Sequence, residues 1–267
     1  YKRFLSILSK PFSEEEEKIV TRFKAERKFM VDCCDFIITV SRNSYLLLQT
    51  LYGIPSSKLV YIPHALKDGY VEKSREESKR IRDKYLFDKN EKLILYVGRL
   101  SKEKGLIELI EAFKRLRREC KDVRLIVAGS GDFGKYLTYS NPCWTQIIFM
   151  GFLSKDQLEE LYTIADVGVV PSLHEELGYV AIEMMMRNLP IICSNATGLL
   201  EVTAKGKCGK LVDWTVENRI DSLMKVLLEW YRCPKVYQYY RDMGRLRFLE
   251  EYSFDKFRER IKLLYHI

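Results

Sequence analysis

Four residues carry most of the chemical interest: Arg99, Lys104, Glu175 and Glu183. Glu183 is the lone charged residue between Val180 and Met186, a run otherwise built from Val, Ala, Ile and Met. A carboxylate there points towards a core, where it must find donors or be neutralised, because burying it unpaired is costly. A ribose diol meets that demand with two hydroxyl donors for two carboxylate oxygens. Arg187, four residues on, offers a salt bridge instead. Glu175 lies in the preceding loop, "PSLHEELG", and Gly178 stands just before the helix that carries Glu183. The amides around Gly178, Tyr179 and Val180 are helix-start donors without ladder partners, suited to phosphate. Arg99 and Lys104 sit five apart in "GRLSKEKG", a loop that opens another helix. Two cations beside a helix start form a cradle for a diphosphate, with Arg as a planar fork and Lys as a point charge. Ordinary surface cations would read the same. "AGSGDFG" adds Gly129, Gly131 and Gly134. Such a loop lets backbone approach a ligand, although turn chemistry explains it equally well.

These residues need a scaffold that brings separate loops together. From Lys92 onward apolar runs recur at "LILYV", "VRLIVA", "IIFM", "VGVV", "PIIC" and "KLV". Helical patterns separate most of them, including "LIELIEAFKRLRREC", "SKDQLEELYTIA" with Ser154 and Gln157 as cap and box, and "ENRIDSLMKVLLEWY". Alternation of strand and helix predicts an α/β fold: a parallel, doubly wound, Rossmann-like sheet covered on both faces. In such sheets ligands bind outside the carboxyl ends of the strands, which is where all four charged residues fall. Upstream, the spacing predicts a helix from about residue 14, with Ser13 and Glu16 as capping box, then strands "DFIITV" and "KLVYIP" around a helix capped by Ser41 and ended at Gly53. Two strands are too few for an independent core. The expected division is residues 1–85 as the C-terminal part of a first domain, 86–234 as a ligand-binding domain, and 235–267 as closing helices.

The chain has 267 residues, 47% hydrophobic and 31% charged, a globular composition. It lacks an apolar run of 18 residues. Seven cysteines without a C-x-x-C pair suggest neither a disulfide framework nor a zinc site, and point to a reducing compartment. The net charge of +8 is compatible with an anionic ligand or a membrane surface. Aromatics do not interleave with the basic residues, which argues against nucleic acid.

As a whole the pattern resembles the retaining, GT-B-fold glycosyltransferases of family 4. Glu175 and Glu183 match that family's Glu-x7-Glu motif. "DFIITVS", "YGIPSSKLVYIPHAL", "LILYVGRLSKEKGLIELIEAF", "LIVAGSGD", "IIFMGFLSKDQLEELYTIADVGVVPSLHEELGYVAIEMM", "NLPIICS" and "CGKLVD" extend the likeness over residues 32 to 213. The resemblance implies transfer of a hexose from a UDP- or GDP-sugar, without a further cofactor, to a sugar, lipid-linked or protein acceptor. Arg99 and Lys104 would grip the diphosphate and Glu175 the sugar hydroxyls, making these three the catalytic set. Glu183 would hold the ribose, the amides around Gly178, Tyr179 and Val180 would complete the phosphate site, Leu177 and Gly131 would line the donor cleft, and Gly151, Phe152 and Leu153 would lie beside the base, largely through backbone. The final helices would cross back to the first domain. No Asp-x-Asp pair occurs, so a metal-bound diphosphate is not expected. The alternative is a nucleotide-sugar-binding domain or partner subunit without complete catalytic machinery; a phosphorylase would need a pyridoxal lysine signature that is not seen. A cytoplasmic location is expected, compatible with peripheral contact at the inner face of a membrane.

The sequence departs from the family pattern in three places. Ala65 replaces a glycine in "PHAL", "LGY" stands where an aromatic-Gly pair is commoner, and the stretch before Pro63 is short for an acceptor domain. The resemblance also implies a histidine near the reacting sugar on the acceptor side, and none of His64, His174 and His266 matches its position. The expectation is therefore a chain that binds donor but by itself transfers poorly or not at all.

Overall fold

The computed structural model describes residues 14–214 and 217–266. It divides into two compact units, residues 1–62 and 63–267.

In the smaller unit helix α1 (Glu14–Cys33) precedes strand β1 (Ile37–Thr39), helix α2 (Arg42–Thr50) and strand β2 (Leu59–Tyr61). The two strands pair in parallel, Ile37 opposite Leu59. Ser41 caps α2 as expected, accepting from the Ser44 amide at 3.0 Å. The helix stops at Thr50, and Gly53 turns the chain at φ 60° two residues past the Leu51 cap. The α1 capping box anticipated at Ser13 lies outside the described residues.

The larger unit is built on one six-stranded parallel sheet of order β5-β4-β3-β6-β7-β8. Its strands are β3 (Lys92–Val97), β4 (Val123–Ala128), β5 (Ile147–Gly151), β6 (Val167–Val170), β7 (Ile191–Ser194) and β8 (Lys210–Val212), all six anticipated from the apolar runs. Because successive side chains point to opposite faces, each strand feeds two cores. Leu93, Leu95, Ile126, Ala128, Ile191 and Cys193 enter one; Ile94, Tyr96, Leu125, Val127, Val167 and Ile192 enter the other. The first is covered by α3 (Arg75–Lys84), α6 (Lys155–Ile164), α7 (Tyr179–Met186) and α8 (Thr197–Val202). The second is covered by α4 (Leu106–Glu119), α5 (Phe133–Ser140) and α9 (Arg219–Arg232). Two of these helices, α5 and α8, carry no long apolar period and were not anticipated. Asp132 caps α5, accepting from the Lys135 amide.

The larger compact unit begins at Pro63. Helix α3 is bound into the larger unit through Ile81 and Phe87 in its core, Arg82 on Asp166, and Lys84 and Tyr85 on Glu160. Helices α10 (Pro234–Arg247) and α11 (Phe254–Tyr265), joined by the wider turn Phe248–Tyr252, also pack within this unit. Phe248 and Tyr252 are fully buried beneath α7 and α8. Among the described residues no helix is long and apolar enough to cross a membrane.

Candidate functional site

The anticipated site residues of the larger unit lie on loops leaving the carboxyl end of the sheet or at the start of the following helix, except Glu183, which sits midway along its helix. Glycines let these loops touch backbone to backbone. The Gly98 amide donates to the Ala128 carbonyl at 3.0 Å, the Gly129 amide to the Gly151 carbonyl at 2.8 Å, and the Leu100 amide to the Ser130 carbonyl at 2.8 Å. A Cβ on Gly129, at φ 145°, would stand 1.8 Å from the Gly98 carbonyl oxygen. Gly131 therefore braces the Arg99 loop, its Cα against Leu100, as well as standing exposed beside it.

Arg99 is exposed, and its guanidinium makes no ion pair or hydrogen bond with a described residue. Its backbone is pinned instead, the carbonyl accepting from the buried Tyr96 hydroxyl at 2.7 Å. Lys104 ends a short 3-10 turn, and Gly105, at φ 66°, follows as the start of α4. A side chain on Gly105 would meet the Pro171 carbonyl at 1.9 Å, so the β3 and β6 loops close on each other there. The Leu173 amide, donating to the Glu103 carbonyl at 2.8 Å, closes the same contact.

This closure joins two of the predicted residues. Lys104 Nζ stands 2.6 Å from Glu175 Oε2, and the buried Ser172 hydroxyl donates to the same oxygen at 3.1 Å. The Glu175 loop is held from behind by β7 and α8. Ser194 Oγ donates to the Ser172 carbonyl at 2.5 Å and the Gly198 amide to the Glu175 carbonyl at 3.0 Å. Leu177 is buried below it. Gly178 then turns at φ 84° to start α7 without a side-chain cap. The amides of Tyr179 and Val180 are thus outside the helix ladder, and the positive end of the helix dipole stands at the same loop. Tyr179 is partly exposed, with the His64 ring edge-on at 6.2 Å.

Glu183 lies on α7 and is half-buried. Its carboxylate does not take Arg187 as partner. Arg187 Nε pairs with Glu159 of α6 at 2.5 Å, and its Nη1 donates to the Glu183 backbone carbonyl at 3.1 Å. Glu183 Oε2 instead accepts from the Tyr162 hydroxyl at 2.9 Å. Burial pushes that phenol well above its ordinary range, with the Glu183 charge adding to the shift, so it remains a donor. The Met run around Glu183 is core, as its composition implied. At the end of β5, Gly151 turns at φ 72° in open space, Phe152 is 85% exposed, and Leu153 packs against the core edge.

Reasoning from residue type missed Ser172, Ser194, Gly198 and Tyr162. Tyr162 reads as one more core aromatic in "ELYTIA", and nothing local distinguishes it.

Arranged in this way, the carboxyl edge offers cations, open helix amides and two placed carboxylates. The model for glycosyl transferases group 1 matches residues 77–247, most of the chain. The chain belongs to the group 1 glycosyltransferases. A glycosyltransferase of Methanocaldococcus jannaschii is 30% identical over 241 residues, 86% of this chain and 60% of that protein. Spore coat protein SA of Bacillus subtilis is 32% identical over 206 residues, 71% of this chain and 54% of that one. Among solved structures, sucrose-phosphate synthase of Thermosynechococcus elongatus superposes with a TM-score of 0.77 at 22% identity, over 96% of this chain and 63% of its own. Anabaena HepE in complex with UDP superposes with a TM-score of 0.81 at 18% identity, over 92% and 68%. These likenesses give this group 1 chain the GT-B type of parallel α/β fold. It spans about 60% of the length of the M. jannaschii relative.

Proposed function

We propose that this chain binds a nucleoside diphosphate sugar and belongs to a retaining transferase that moves a hexose to an acceptor hydroxyl. The observation that carries the reading is the meeting of Lys104, Glu175 and the open start of α7 at one edge of the sheet, with Arg99 exposed on the neighbouring loop and paired with no described residue. Lys104, Arg99 and the Tyr179 and Val180 amides are the charges that a diphosphate needs. They also stabilise the charge that builds on it as the bond to the sugar breaks, so catalysis here is electrostatic. Glu175 accepts from sugar hydroxyls and Glu183 from the ribose. Gly131 lines the cleft, and the turn at Gly151, Phe152 and Leu153 receives the base. The HepE structures were solved with UDP, with UDP-glucose, and with UDP and glucose, which makes uridine the first base to test. The absence of an Asp-x-Asp pair leads us to expect transfer without a divalent metal; activity in excess chelator checks this.

Titration calorimetry with UDP, GDP and ADP against their nucleosides tests the reading. Charge-assisted hydrogen bonds contribute about 1.5–3 kcal/mol each. Arg99→Ala and Lys104→Ala should therefore each weaken the diphosphate by about tenfold or more, while leaving the nucleoside nearly unchanged. Equal losses on both, or no diphosphate binding by the wild type, would refute it.

A further inference from the structure

We propose that Tyr162 is a positioning residue for donor recognition: it holds the Glu183 carboxylate so that Oε1 is presented to the ribose diol. The inference rests on the ribose assignment of Glu183 above. Helices α6 and α7 each contribute two residues to one clamp. Tyr162 lies three residues after Glu159, and Arg187 four after Glu183, so each pair shares a helix face. The Tyr162 hydroxyl donates to Glu183 Oε2 at 2.9 Å. The Arg187 guanidinium lies over the Tyr162 ring, 4.5 Å from its centroid. Glu159 holds that guanidinium at 2.5 Å, and the guanidinium returns to the Glu183 carbonyl at 3.1 Å. Tyr162 is 2% exposed, so its ring cannot swing away without opening the core.

A free Glu side chain samples several rotamers, and fixing one before a ligand arrives removes an ordering cost from binding. Glu183 Oε1 makes no hydrogen bond with a described residue. One oxygen is therefore tied to the protein, and the other is left for a ligand hydroxyl. The carboxylate was expected to offer both oxygens to the diol. The structure instead commits one lone pair of Oε2 to Tyr162.

Titration calorimetry on the chain with UDP, GDP and ADP and their 2′,3′-dideoxy counterparts tests the inference. Tyr162→Phe keeps the ring and removes the hydroxyl. It should weaken the ribonucleotide by about three- to tenfold, the range expected for a residue acting through its neighbour. The dideoxynucleotide should change less than about twofold, and adding Tyr162→Phe to Glu183→Gln should cost nothing further. Glu159→Gln, which loosens Arg187, should act in the same direction with a smaller loss. Equal loss on both nucleotides, or losses that add to those of Glu183→Gln, would make Tyr162 a packing residue and overturn the inference. If Glu183→Gln itself fails to distinguish ribo- from dideoxynucleotide, the ribose assignment falls and the inference falls with it. If Glu183→Gln does distinguish them and Tyr162→Phe does not, only the inference falls.

Discussion

At the residue scale the defining contact is the Lys104–Glu175 ion pair, because it joins two groups assigned to different parts of one ligand. From the spacing alone Glu175 has no reason to affect a free nucleotide. In the folded chain its carboxylate occupies the cation that a diphosphate would use, with both side chains largely buried, at 24% and 17% exposure. A diphosphate must therefore compete with Glu175 for Lys104. Glu175→Gln removes the competitor and should tighten binding of UDP or GDP by about two- to fivefold, the range that a weak ion pair's coupling converts to. Transfer should fall, since the sugar hydroxyls lose a charged acceptor and face an amide instead. Calorimetry and a turnover assay on the same preparation separate the two effects. A weaker diphosphate complex would show that Glu175 holds Lys104 in place instead of competing with it.

At the scale of elements, the site depends on how closely the loops of β3, β4 and β5 approach. Gly129 is the tightest point of that stack, with backbone oxygen where a Cβ would go. Gly129→Ala cannot be absorbed by a side-chain rotation. It should destabilise the larger unit by roughly 2–4 kcal/mol through strain and displaced backbone, and weaken diphosphate binding as the Arg99 loop shifts. Gly151→Ala is the matching control. Its φ of 72° also disfavours a side chain, but nothing lies within 4 Å of the new atom. It should cost only about 1–2 kcal/mol. Urea unfolding of the two variants measures the difference, and equal losses would mean that contact between the loops is not tight in solution.

At the scale of the whole larger unit, residues far apart in sequence are stitched together. The segment after Pro63 pairs with the end of the chain: the Leu66 amide donates to Tyr252 and the Phe254 amide to Leu66. Arg245 clasps Asp68 through its two terminal guanidinium nitrogens, Nη1 and Nη2, at 3.0 and 2.6 Å. Partial burial works to raise the Asp68 pKa. The Arg245 hydrogen bond, the Tyr70 amide and the Arg245 charge outweigh it, and the carboxyl is held below its ordinary value. A lowered carboxyl pKa stabilises the fold above the unfolded value, near 4, and that contribution is lost as pH falls through the folded value. Asp68→Asn should therefore lower stability slightly at pH 7, by about 1 kcal/mol or less for a pair that keeps part of its surface in water. The difference from wild type should vanish on acidification. Melting curves between pH 7 and pH 3 check this; a difference that stays constant would exclude the carboxylate as its source.

The sequence by itself determined the eight strands of the described residues, the long helices and the loops that carry Arg99, Lys104 and Glu175. Apolar periodicity and caps such as Ser41 and Ser154 act over a few residues, and the structure keeps them. It also placed Arg99, Lys104 and Glu175 at one edge, because parallel crossover topology sends every strand out at the same end. Only the tertiary structure decided their partners. Glu183 had a local candidate four residues away and took Tyr162, 21 residues distant on another helix, because packing α6 against α7 delivers Glu159 to Arg187 and frees the carboxylate. The boundary at Ile62 and the contact of Lys104 with Glu175 likewise depend on which surfaces meet across the sheet. Local pattern encodes which face of an element is buried; it does not encode which neighbour that face will find.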